Sequence, residues 1–118
     1  MKNILIFLFL MLSCIVNGQT FAKNASVLTT STASLSPIRI TINWTSYSQS
    51  TGYTLYRKLK SSTSWGSPIS NLSGSSTQYI DNSVTSNTYY EYKLVRNSNS
   101  GVGYGYTSGS VNLSEVEY

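Results

Sequence analysis

The residues best equipped to engage another molecule are aromatic. Tyr56, Trp65 and Tyr89 come together if Trp65 edges the sheet that carries the other two. Tyr104 and Tyr106 stand two residues apart, so an extended strand puts them on one face. Flat rings beside hydroxyls and amides can stack on sugar rings, one side apolar and one edge wet. Asn99, in the stretch 97–103, adds an amide where loops commonly present contacts. A plainer account competes and is favoured. In it Trp65 covers the edge of the core, Tyr104 and Tyr106 shield Gly103 and Gly105, and 97–103 is a flexible hairpin tip.

Acid–base and nucleophilic chemistry find little to work with. The chain has no His. General acid–base catalysis draws on His or on paired carboxylates with separated pKa values. The four carboxylates are Asp81, Glu91, Glu115 and Glu117. Asp81 reads as a turn cap at a strand end, Glu91 as the cross-strand partner of Lys58, and the other two as tail residues. The many Ser residues have no base beside them. No carboxylates stand at calcium-loop spacing and soft ligands are missing, so neither a metal nor a cofactor is expected. The basic group Arg57, Lys58 and Lys60 reads as a solvated strand end, with an acidic glycan or envelope phosphate as its alternative contact.

The elements that must position these residues begin after residue 18. Lys2 followed by the apolar run 4–12 has the form of a secretory signal, and nine residues are too few to cross a bilayer core. Val16-Asn17-Gly18 suits cleavage after Gly18. Lipid attachment at Cys14 is the alternative, with Met11 a poor match three residues before it. Cys14 is the sole cysteine, so the cleaved chain has none for a disulfide or a zinc site. Residues 19–24 form a lead, 25–113 one domain, and 114–118 the start of a linker or tail. The formal charge is +4, one less without Lys2, which is too sparse for nucleic acid. A secreted or cell-surface location follows, with neighbouring domains, extracellular proteins or glycans as partners and no membrane span.

Within 25–113 no helical apolar period stands out, while β-branched and aromatic residues alternate with polar ones. Seven strands are expected: 25–30, 38–44, 53–59, a short one or strand-like loop holding Trp65, 77–81, 88–96 and 104–113. Ile38, Ile40, Ile42 and Trp44 share the buried face of the second. Tyr53 and Leu55 point inward on the third and Tyr56 outward. Tyr79 and Ile80 compete for the buried face of the fifth, and Tyr90, Tyr92 and Leu94 turn inward on the sixth.

Ile40-x-Ile42-x-Trp44, Gly52-Tyr53-Thr54-Leu55-Tyr56-Arg57, Thr77 to Asp81 and Val84-x-x-Asn87-Thr88-x-Tyr90 occur in the order of a fibronectin type III domain, which this chain resembles from about residue 25 to 113. Val84 stands where that family often has Leu, and Ser86 where it often has Pro. The resemblance implies an all-β, seven-stranded antiparallel Greek-key sandwich of immunoglobulin-like type. It implies Trp44 in the middle of the core and Tyr90 as a corner tyrosine whose hydroxyl returns to the backbone upstream. An immunoglobulin domain would carry a Cys on the second strand and its Trp on the third. The function implied is a non-catalytic spacer or protein-interaction module, with a carbohydrate- or surface-binding module as the alternative. The same sandwich hosts many roles.

Overall fold

Alternation of apolar and polar side chains along short β-rich runs produces two antiparallel sheets in the computed structural model, which describes residues 26–113. The strands are β1 (Thr29–Leu35), β2 (Ile38–Trp44), β3 (Ser50–Leu59), β4 (Ser70–Ser73), β5 (Gln78–Asp81), β6 (Tyr90–Ser98) and β7 (Gly101–Gly109). One sheet has the order β1-β2-β5 and the other β4-β3-β6-β7. This is the expected Greek-key sandwich. The proposed signal, Cys14, the lead 19–24 and the tail 114–118 lie outside the described residues.

The core lies between the sheets and is built from the inward positions of β2, β3 and β6. Ile40, Ile42, Leu55, Tyr92 and Leu94 are wholly buried, and Trp44, Tyr53 and Tyr90 nearly so. Each such side chain contributes about 1.5–3 kcal/mol by leaving water. Trp44 packs on Tyr53 with ring centroids 5.3 Å apart, and its indole N–H donates to the Ser76 carbonyl at 2.8 Å. The Tyr90 hydroxyl accepts the Thr85 backbone N–H at 2.9 Å, tying the crossing between the sheets to the start of β6. Tyr79 packs against the core while Ile80 stays exposed, which decides the competition on β5.

Three elements differ from the sequence expectation. The first strand runs later, over Thr29–Leu35, because residues ahead of it serve the other sheet. Ser26 bridges Tyr104 in parallel, and the Val27 N–H donates to the Tyr104 carbonyl at 3.0 Å. The segment covers the outer edge of β7, an edge that would otherwise offer unpaired backbone groups. The fourth strand is Ser70–Ser73, and Trp65 takes the loop alternative, in the connection between β3 and β4. The stretch 97–103 is not a long loop. β6 and β7 pair through to Ser98 and Gly101, leaving only Asn99 and Ser100 at the turn. Gly101 takes φ 136°, a backbone shape that a side chain disfavours.

Candidate functional site

β3, β6 and β7 are paired in register, so their outward side chains form rows across the four-stranded sheet. Lys58, Glu91 and Ser108 make one row, and Tyr56, Lys93 and Tyr106 the next. Thr54, Val95 and Tyr104 make a third, which Asn71 of β4 extends. The Thr54 hydroxyl donates to the Asn71 amide oxygen at 3.2 Å.

Trp65 returns over this surface from the β3–β4 connection. Its ring centroid is 6.2 Å from that of Tyr106, 5.1 Å from Lys58 Nζ and 5.2 Å from Lys93 Nζ. Lys93 Nζ also stands 4.4 Å from the Tyr56 ring centroid. Such contacts contribute about 0.5–1 kcal/mol at exposed sites and hold rings and cations in place. A shallow depression of about 300 Å³ opens between Trp65 and Tyr106, with Glu91, Thr107 and Ser108 in its lining.

Five of the six proposed contact residues converge here. Tyr56 and Trp65 are half-buried, Tyr104 and Tyr106 are exposed. Tyr89 joins the end of the face, its hydroxyl 3.1 Å from the Ser108 hydroxyl and Lys60 Nζ 4.7 Å from its ring centroid. Asn99 stands apart at the β6–β7 turn.

The favoured plainer account is corrected in two respects. Trp65 lies over the outer face rather than over the edge of the core, because Lys58, Lys93 and Tyr106 receive its ring there. Tyr104 and Tyr106 point away from the side on which Gly103 and Gly105 are buried. That side is closed by the segment before β1. A Cβ on Gly105 would lie 2.0 Å from Thr29 Oγ1 and 2.7 Å from the Val27 carbonyl oxygen, so the close approach requires glycine. Sequence reasoning missed Lys93 as the centre of the face. Its outward position was legible from the alternation of β6, but its neighbours on β3 and β7 depend on register.

A second cluster of titratable groups joins the sheets instead of facing out. The Asp81 carboxylate is 1% exposed. It accepts from Arg57 Nη1 at 2.8 and 3.1 Å, from the Tyr92 hydroxyl at 2.8 Å, and from the backbone and hydroxyl of Ser83 at 3.1 and 2.7 Å. Burial raises the Asp81 pKa, but the hydrogen bonds from Ser83, Arg57 and Tyr92 outweigh it and hold the carboxyl below its ordinary value. Burial, then the bond to Asp81, pushes the Tyr92 phenol above its ordinary range. Arg57 is also raised: burial opposes its charge, and Asp81 more than restores it. Asp81 is thus more than the turn cap of the sequence reading, and Arg57 is not a solvated strand end. Its bonds join β5 to β3 and β6 of the other sheet, so the cluster serves as an inter-sheet clamp.

Among the described residues no three His, Cys, Asp or Glu side chains group as metal ligands. Nor is any described helix long and apolar enough to cross a membrane.

No protein-family model matches the chain, and no curated protein matches it. Solved structures do. An Fn3-like protein from Clostridium thermocellum aligns with TM-score 0.51 and 21% identity over 70% of this chain and 83% of its own. A mutant form of FN3tt aligns with TM-score 0.56 and 16% identity over 73% of this chain and 90% of its own. The pectate lyase PelI from Erwinia chrysanthemi, in complex with tetragalacturonic acid, aligns with TM-score 0.62 and 15% identity. That match covers 71% of this chain and 28% of the lyase, so the chain spans little more than a quarter of the lyase's length. The sheet orders, the Trp44 core and the Tyr90 corner, together with these likenesses, identify the described residues as a fibronectin type III-like sandwich.

Proposed function

We propose that this chain is an exported, non-catalytic binding module whose contact surface is the outer face of the β4-β3-β6-β7 sheet. The observation that carries the reading is the gathering of Tyr56, Trp65, Tyr104 and Tyr106 on one face rather than in the core, with lysines against Tyr56 and Trp65 and Tyr106 against Trp65. A surface of exposed rings rimmed by polar groups is the usual mark of an interaction site. Glycans suit it better than a deep-pocket ligand. The depression beside Trp65 is open, Ser108 lines it with its hydroxyl turned outward beside Tyr89, and Asn71 stands in the same row as Tyr104. The lyase solved with tetragalacturonic acid holds a region of this fold, so the sandwich occurs in a chain that handles an oligosaccharide. Export is supported by Lys2 and the apolar run that follows it.

A spacer role in a longer protein is the second reading, favoured by the 28% share that the matched region takes of the lyase chain. Titration with a panel of soluble polysaccharides and extracellular proteins, followed by affinity electrophoresis, separates the two. At least one ligand should bind, and Trp65→Ala should weaken it about tenfold, or ~1.4 kcal/mol, with the unfolding midpoint nearly unchanged. Retardation by no ligand, or equal affinity in the variant, would leave the spacer reading standing alone.

A further inference from the structure

Charge on the outer face is not balanced. The described residues contain two carboxylates, Asp81 and Glu91, engaged by Arg57 and Lys58 respectively. Lys93 and Lys60 therefore keep their positive charge, and each holds it against an aromatic ring of the contact surface. Lys93 is central: its cross-strand partners are Tyr56 on one side and Tyr106 on the other. Neighbouring strands lie about 4.8 Å apart, so those two tyrosines stand roughly 10 Å from each other. The Lys93 ammonium lies between them, against Tyr56 on one side and against the Trp65 ring that packs on Tyr106 on the other. Ring, cation, ring is a pattern that asks for a ligand with the same alternation of stacking faces and negative charge.

Resting on the reading of this face as a glycan surface, we propose that its ligand is a uronate-bearing polysaccharide, laid across the strands. Its sugar rings stack on Tyr56 and Tyr106, and a carboxylate between them meets Lys93. The next row adds a neutralised pair, since Lys58 Nζ holds Glu91 and also donates to the Ser62 carbonyl at 2.9 Å. Glu91 there can accept a sugar hydroxyl without presenting a bare negative charge. Nucleic acid is the poorer match. A duplex carries one charge per about 1.7 Å of its axis, a density two lysines cannot answer. A uronate polymer carries one carboxylate per ring and presents a ring face with each.

The test uses the purified chain with polygalacturonate, its fully methyl-esterified form and neutral galactan, by titration calorimetry and affinity electrophoresis. Esterification removes the charge and leaves the sugar backbone. Polygalacturonate should bind, at least tenfold more tightly than the ester, and more weakly as salt screens the surface. Lys93→Gln should abolish that preference, and Tyr106→Ala should weaken binding to either polymer. Unfolding midpoints of both variants report that the sandwich is intact. Equal affinity for acid and ester, or an unaltered preference in Lys93→Gln, would overturn the uronate assignment and leave the glycan surface in place. Failure to bind any of the three polymers, with the wider panel also silent, would overturn both.

Discussion

Arg57 and Lys58 are adjacent on β3, and each forms an ion pair, yet the two pairs live in different media. Arg57 turns inward and meets Asp81, which is 1% exposed. Lys58 turns outward and meets Glu91, 35% exposed, directly across on β6. The period of two along a strand sends consecutive side chains to opposite faces, so one residue of offset decides whether a charge joins the core or the surface. In the inward pair the Asp81 carboxylate also takes bonds from Tyr92 and Ser83, so the pair ties one sheet to the other. The outward pair sits beside Trp65, where its charges remain within reach of a ligand.

Breaking the inward pair should have the largest effect. Asp81→Ala strands Arg57 between the sheets and removes the acceptor of Tyr92 and Ser83. A loss of about 3–5 kcal/mol in denaturant unfolding is expected. A loss under about 1 kcal/mol would mean that the clamp contributes little. Acid should expose the same dependence. Because the folded Asp81 pKa lies below its ordinary 3.8, its contribution is complete above that pH and fades as pH falls through and below it. Tyr92, with its folded pKa raised above 10.0, contributes fully below that value and loses its share as pH climbs beyond it. Stability measured against pH should therefore fall at both ends, and the Asp81→Ala variant should show a flatter acid limb.

Smaller changes sharpen the contrast. Tyr92→Phe keeps the ring in the core and deletes one bond to a buried carboxylate, for an expected loss of about 1.5–3 kcal/mol by thermal or urea unfolding. Glu91→Gln, on the outer face, should cost under about 1 kcal/mol and less at high salt. Parity between those two losses would erase the distinction between the faces.

Much of the fold was readable from residue order. Pro37 and the alternation Ile38, Ile40, Ile42, Trp44 placed β2 at its observed bounds. The inward choice of Tyr53, Leu55, Tyr90, Tyr92 and Leu94 followed from the same period. The candidate site was readable only in part: Tyr56, Trp65, Tyr89, Tyr104 and Tyr106 were singled out for their type, and Tyr104 and Tyr106 for their spacing. Their meeting around Lys93 was not. Asn97 to Gly103 misled because Ser, Asn and Gly suit a flexible loop as well as a tight two-residue turn, and strand pairing carried β6 to Ser98 and started β7 at Gly101.

By itself, the sequence determined which side of each strand is apolar, hence a two-layer sandwich with Trp44 and Tyr90 inside and a set of rings left outside. Alternation is a local property, and solvation of side chains suffices to read it. The tertiary structure alone decided which residues stand opposite one another, that Asp81 is buried against Arg57 and Tyr92, and that Trp65 crosses to Lys58 and Lys93. Register and loop path join residues far apart in the chain, so their outcome depends on the packing of whole strands rather than on any segment's own preference.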